Sequence, residues 1–265
     1  MPDPKPITVY PFTATLRPHL TRTKTIATVG PACASLEKLK QLVTEGVDVF
    51  RLNMAHGTRE DHQLAIDNIR LACVEVSQAA GILVDLAGPK IRLGQLHTEP
   101  LQLDNGTHVD FVRGDQPSKA RELTCTYQPL VDELQINDDV MLQDGLVRLR
   151  VVEKLDDRAR CEVLEGGEIR SRQGVNLPGV NLGVPALLDR DRDNALWAAS
   201  NEVEFVSLSF VRNAEEIGEL KSLLRSNGSP AMVIAKIEKR EAMDNLEEIV
   251  ERSDAIMVAR GDLGV

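Results

Sequence analysis

The stretch GILVDLAGPKIRL (residues 81–93) divides the chain into two textures and decides how it folds. Gly81 punctuates, and Ile82 to Leu86 reads as a short, almost continuously apolar strand of the kind buried on both faces of a parallel sheet. Upstream, strand and helix alternate. Thr25 to Val29 is a β-branched run, and Ser35 starts a helical pattern (Leu36, Leu39, Leu42, Val43) that ends at Gly46. Val47 to Leu52 is a second strand. Thr58-x-x-Asp61, close to a capping box, then opens a helix carrying Leu64, Ile66, Ile69 and Val74.

Downstream of residue 93 the pattern changes. From Gly94 to Pro185, short alternating runs (His108–Val112, Val140–Leu142, Val147–Val152, Arg160–Leu164) are separated by Asp104-Asn105-Gly106, Asp144-Gly145 and Gly166-Gly167. Those are hairpin signals at regular spacing and predict a small all-β domain. After Pro185 the β/α alternation returns. Strand Val203–Leu208 precedes Asn213-x-x-Glu216 and a helix closing near Asn227-Gly228; strand Met232–Ile237 precedes a helix Glu241–Arg252, and Ala255–Ala259 is the last strand. The predicted organisation is an N-terminal extension (1–20), a first β/α part (21–93), an inserted β domain (94–185) and a second β/α part (186–265). Alternating strands and helices imply parallel βαβ units. The fold class is α/β. About six β/α strands are present, and the β/α residues fall short of the roughly 250 that a complete eight-stranded barrel takes. An open sheet or an incomplete (β/α)₈ TIM-type barrel both fit.

The chain has 265 residues, 42% hydrophobic and only 3% aromatic, so its core is aliphatic. A formal net charge of −10 without a basic cluster argues against a nucleic-acid partner. Cys33, Cys73, Cys125 and Cys161 form no C-x-x-C pair and read as reduced core thiols. The proline-rich start (Met1 to Pro18) has no apolar h-region, and no run reaches the length of a membrane span. These features predict a soluble, cytoplasmic protein without a membrane partner. His19, His62, His97 and His108 have no ligand-like spacing, and no GxGxxG or Walker loop occurs.

The polar residues cluster at strand ends. Gly30-Pro31, Arg51-Leu52-Asn53, Asp85, Ser209-Phe210, Lys236 with Glu238, and Arg260-Gly261-Asp262 each follow or finish a strand, where barrels and open α/β sheets place ligands. Their types suit phosphoryl transfer. Arg51 and Arg92 match phosphate oxygens, and Glu238 with Asp262 supplies carboxylates for Mg²⁺. Lys236 lies two residues before Glu238 and shares its strand face, so it serves either a developing oxyanion or a plain salt bridge with that carboxylate.

These motifs resemble a known family. Thr23-Lys24-Thr25-Ile26 through Gly30-Pro31-Ala32, Arg51-Leu52-Asn53-Met54-Ala55-His56-Gly57, Asp85 through Arg92, Gly174-Val175-Asn176-Leu177-Pro178-Gly179, Lys236-Ile237-Glu238 and Met257 through Gly264 are similar, in order and spacing, to the N-terminal portion of pyruvate kinases. The resemblance implies a barrel interrupted by a small β-barrel lid, and a glycolytic reaction: phosphoryl passes from phosphoenolpyruvate to ADP, giving pyruvate and ATP. It implies that Arg51 holds the phosphoryl group and Lys236 stabilises the transition state. Glu238 and Asp262 bind Mg²⁺ (or Mn²⁺), and Gly261 and Asp262 lie at the substrate. Arg92, Asn53 and His56 serve the nucleotide. Asn53 and Asp85 belong to a K⁺ site, the intact family form is a homo-oligomer (a tetramer), and all these groups share one barrel mouth.

The departures are informative. Ala55 and Leu86 stand where many members have Ser and Thr at the K⁺ site, and Lys90 stands where K⁺-dependent members carry Glu. A fixed ammonium there can stand in for the monovalent cation, which predicts activity that does not require K⁺. Gln173 replaces a Lys directed at nucleotide phosphate. The two further strands and the C-terminal domain of the family are not in this sequence. The alternatives left open are an inactive truncated remnant and a different metal-dependent, enolate-forming enzyme on the same barrel.

Overall fold

The computed structural model describes residues 23–117, 119–143, 145–180 and 183–263. The predicted extension 1–20, His19, Asp144 and Gly264 lie outside the described residues, as do Gly261 and Asp262 beyond their backbone. The chain forms two compact units, the first ending at Val84 and the second starting at Asp85.

The first unit runs β1 (Ile26–Thr28), α1 (Leu36–Glu45), β2 (Val49–Asn53), α2 (Arg59–Glu75) and β3 (Gly81–Asp85), whose last residue opens the second unit. β1 pairs with β2 in parallel, Ile26 opposite Val49 and Thr28 opposite Arg51. α1 ends where its sequence says it should: Gly46 stands at φ 106° and returns its N–H to the Leu42 and Val43 carbonyls. The full capping box forms at Thr58 and Asp61.

One expectation needs correction. Leu64 and Val74 are 60% and 58% exposed, and α2 buries Ala65, Ile66, Ile69 and Ala72 instead. At 100° per residue, Leu64 lies about 160° round the helix from Ile66, so both cannot face one core. The two alanines set the buried stripe by allowing close approach.

The second unit opens with the β domain: β4 (Leu101–Leu103), β5 (His108–Val112), β6 (Glu122–Leu123), α3 (Leu130–Glu133), β7 (Asp139–Leu142), β8 (Val147–Lys154), β9 (Arg158–Glu165), β10 (Gly167–Ile169) and β11 (Val175–Asn176). Six strands make one sheet, ordered β11-β7-β8-β9-β5-β6, and β10 pairs with β4. Alternation along β8 buries Val147, Leu149 and Val151 and leaves Arg148 and Arg150 half-buried. Cys125 and Cys161 belong to this core. Burial pushes their thiols up to about 11 and about 12, so both are inert at neutral pH.

Opposite Arg150 on the neighbouring strand, Asp139 accepts from Arg150 Nε at 2.8 Å and from Arg148 Nη2 at 2.8 Å. The Arg150 hydrogen bond, aided by Arg148 and opposed by burial, holds the Asp139 carboxyl below the usual aspartate range. The folded domain therefore keeps this group ionised to lower pH than the unfolded chain does. That contribution is present above the unfolded-state pKa and is lost as pH falls through the lower folded one. Asp139→Asn is expected to cost about 1 kcal/mol near neutral pH, with urea midpoints converging on the parent's as pH falls below the ordinary aspartate range. A gap that stays constant across this range would exclude the ion pair as its cause.

The unit continues with α4 (Asp189–Ser200), β12 (Phe205–Leu208), α5 (Ala214–Ser226), β13 (Met232–Ile237), α6 (Arg240–Asp244), α7 (Leu246–Arg252), β14 (Ala255–Val258) and α8 (Arg260–Leu263). β12, β13 and β14 pair in that order, all parallel. The helix expected over Glu241–Arg252 is two, broken at Asn245, whose amide donates to the Arg212 carbonyl at 2.9 Å. Asn213 caps α5 through Glu216 N, but the Glu216 carboxylate turns to the Arg212 backbone N–H, so only half of a capping box forms. Among the described residues no helix is long and apolar enough to cross a membrane.

Candidate active site

In the second unit the strand ends bring three predicted residues together. Lys236, on β13, is 8% exposed, Glu238 just beyond that strand 4%, and Asp85, at the end of β3, 1%. Lys236 Nζ lies 2.9 Å from Glu238 Oε1 and 3.3 Å from Asp85 Oδ1, and donates to Ser209 Oγ at 2.9 Å. An ammonium has three hydrogens, and these three acceptors match them. The salt-bridge alternative for Lys236 and Glu238 is thus the geometry that forms, within a larger cluster.

The cluster is held from β12. Ser207 Oγ donates to Asp85 Oδ1 at 2.6 Å, and Ser209 Oγ donates to the Leu86 carbonyl at 2.6 Å. With its only hydrogen so committed, Ser209 meets Lys236 as an acceptor. Leu86 N in turn donates to Ser207 O at 3.0 Å, seating the Asp85-Leu86 backbone against β12. Glu238 Oε2 accepts the Phe210 backbone N–H at 2.7 Å. Ser207 was not singled out from the sequence, although a serine two residues before Ser209 in the strand FVSL shares its face.

Two carboxylates face one ammonium in a nearly buried space. That donor set suits a hard cation, which takes carboxylate oxygens and completes its shell with water or substrate oxygens. Among the described residues no three His, Cys, Asp or Glu side chains form a metal-binding group. The Asp262 side chain is outside them. Glu238 borders a cleft of about 430 Å³ lined by Asn176, Leu177, Phe210, Lys239, Arg240 and Met243, a size in the range of small-ligand pockets. Lys239 Nζ sits 5.9 Å from the Phe210 ring centroid.

The other predicted residues are placed as follows. In the first unit, Arg51 and Asn53 alternate with buried Leu52 on β2. Arg51 Nη1 donates to Thr28 Oγ1 at 3.1 Å, and Asn53 Oδ1 accepts the Ala55 N–H at 3.0 Å. His56 is exposed in the turn that follows, its carbonyl 2.8 Å from His62 Nε2. In the second unit Arg92 bridges to Gly174 and donates from Nη1 to the Arg172 carbonyl at 3.1 Å. Gln173 accepts the Arg170 N–H at 2.8 Å. Lys90 lines a small cavity of about 40 Å³ with Ile91, Val175, Leu177 and Phe210.

A family model, pyruvate kinase, barrel domain, matches residues 20–265. The chain belongs to the pyruvate kinase family. It is 42% identical over 251 residues to pyruvate kinase 2 of Synechocystis sp., covering 92% of this chain and 42% of that protein. It is 41% identical over 245 residues to a pyruvate kinase of Agrobacterium vitis, covering 92% of this chain and 50% of that protein. A pyruvate kinase crystal structure from Cryptosporidium parvum superposes with a TM-score of 0.84 at 34% identity, covering 91% of this chain and 51% of that one. The chain therefore spans about half the length of these relatives or somewhat less. Its fold class is the family's (β/α)₈-type barrel, with six strands present, together with a β domain.

Proposed function

We propose that this pyruvate kinase family member transfers phosphoryl from phosphoenolpyruvate to ADP, forming pyruvate and ATP in the cytoplasm. The observation that carries this reading is the buried Lys236 ammonium, fixed by Asp85, Glu238 and Ser209 at the ends of parallel strands. An ammonium already positioned and largely shielded from water stabilises an enolate or phosphoryl oxygen without reorganisation at the moment of reaction. Arg51 takes the transferring phosphoryl group, and Gly261 with Asp262 contacts substrate. Arg92, Asn53 and His56 serve the nucleotide. Arg92 exchanges its bond to the Arg172 carbonyl for phosphate when it does so. Glu238 and Asp262 hold Mg²⁺, or Mn²⁺ in its place, which when bound neutralises phosphoryl and enolate oxygens. The domain organisation that goes with this reading is 21–93 and 186–265 as barrel, 94–185 as lid and 1–20 as extension, in a homo-oligomer without nucleic-acid or membrane partners.

Activity without K⁺ is part of the proposal. Leu86 is fully buried and offers no hydroxyl, and Ala55 offers none. Asn53 Oδ1 already accepts from Ala55 N. Lys90 supplies the monovalent charge instead. A coupled assay of pyruvate formation from phosphoenolpyruvate, ADP and Mg²⁺ in choline salt tests both parts. Turnover is expected, with no more than about a twofold change on adding KCl at constant ionic strength, since only screening would alter. No pyruvate would remove the reaction; a steep rise with KCl would remove the role given to Lys90.

A further inference from the structure

We infer that Arg190 and Asp191 form a clamp on Gly88 that positions Glu238 and Lys236 from outside the cluster. The role rests on reading Glu238 as the carboxylate of a divalent-cation site. Both residues lie in the first turn of α4, a helix whose sequence (DRDRDNALWAAS) reads as a solvated polar run. Asp191 is nevertheless 0% exposed. Its Oδ1 accepts the Gly88 N–H at 3.3 Å, while Oδ2 is buried with no hydrogen-bond partner. Beside it, Arg190 Nη2 donates to the Gly88 carbonyl at 2.6 Å. Two consecutive side chains thus hold both polar groups of one peptide residue 102 and 103 positions away.

Gly88 has no room to move toward the cluster. It stands at φ +64°, and a Cβ on it would lie 2.9 Å from the Phe210 ring and 3.0 Å from Ser209 Cβ. The residues it touches are the ones that orient the charged pair. Phe210, itself at φ 58° in the left-handed region, aims its N–H at Glu238 Oε2, and Ser209 Oγ receives Lys236. Side chains that behave this way, one layer behind a site, fix the direction of the groups that act.

The carboxylate is not there to close a hydrogen bond, because an amide would accept the Gly88 N–H equally well. A buried anionic oxygen without a partner works against folding. Burial pushes the Asp191 pKa up, against the charge of Arg190 and the backbone N–H groups of Gly88, Leu188 and Ala87. What the charge adds is attraction on the Ala87-Gly88 backbone, the segment packed on Ser209 and Phe210.

Three variants of the full chain, Asp191→Asn, Arg190→Ala and Arg190→Lys, test the clamp by amide hydrogen exchange at Phe210 and by Mn²⁺ titration followed by electron paramagnetic resonance. Asp191→Asn is expected to fold, because it keeps the size of the side chain and an oxygen that accepts the Gly88 N–H. Its Phe210 amide should exchange about tenfold faster, and Mn²⁺ affinity should drop about tenfold, as for other groups that orient metal ligands. Arg190→Ala, at an exposed position, should move both readouts the same way, and Arg190→Lys should restore them. Parental exchange at Phe210 in both Asp191→Asn and Arg190→Ala would overturn the clamp. Absence of Mn²⁺ binding by the unsubstituted chain would instead remove the metal reading of Glu238, and Phe210 exchange would still decide the clamp.

Discussion

Lys236→Met is expected to lower stability by about 3–5 kcal/mol, a melting shift on the order of 10 °C for a chain this size. In the protein Lys236 is nearly buried between Asp85 and Glu238, so methionine keeps the length and removes the ammonium that pairs with both carboxylates. Two carboxylates then lose the counter-charge they share, and breaking a buried pair in this way costs far more than losing a surface one. The chemistry should suffer more than the fold. A fixed donor aimed at developing charge is worth about 10²–10³ in turnover. Its loss should appear in kcat, with KM for phosphoenolpyruvate changing little, because the proposed function gives the ground-state contact with the phosphoryl group to Arg51. Thermal melts give the first quantity, and the coupled assay, run well below the variant's melting temperature, the second. Unchanged turnover would take Lys236 out of the mechanism.

The residues of this prediction also show what a sequence makes legible. Lys236 and Glu238 are two apart on a strand, so their shared face follows from the period of the backbone, and they meet at 2.9 Å. The Gly46 cap and the Thr58–Asp61 box are equally local and form as their spacing dictates. Asp85 is different. It lies 151 residues from Lys236, and what joins them is pairing within a folded sheet. The sequence places it at a strand end among the candidate residues, but nothing local pairs it with Lys236.

Where local patterns misled, a tertiary contact outweighed propensity. Asn245 breaks a helix that the sequence runs through, because its amide is taken by Arg212 O. α4 went unpredicted since its buried positions are Asp191, Ala195 and Ala198, which make no apolar stripe. Asp191 escaped notice for the same reason. Nothing around it in the chain says that an acidic side chain there will be buried, because the segment that buries it is the Ala87-Gly88 turn.

That turn yields the second large effect. Gly88→Ala is expected to cost about 2–5 kcal/mol, from two sources that a control separates. The left-handed backbone penalises any Cβ by about 1–2 kcal/mol. Forcing a methyl into a filled space adds about 1–3 kcal/mol more. Gly106→Ala, in the β domain, meets the first without the second: Gly106 stands at φ +76°, with nothing within 4 Å of the added Cβ. At Gly88 the methyl must displace the Phe210 ring or the Ser209 backbone oxygen, which lies 3.2 Å from it. Either shift loosens the Phe210 N–H from Glu238 and the Ser209 hydroxyl from Lys236. Gly88→Ala should therefore lose turnover and Mn²⁺ affinity as well as stability, whereas Gly106→Ala loses stability alone. Urea unfolding of both variants supplies the comparison. Equal destabilisation, with Mn²⁺ affinity intact in Gly88→Ala, would mean that the close approach of Gly88 to Ser209 and Phe210 does not hold the cluster.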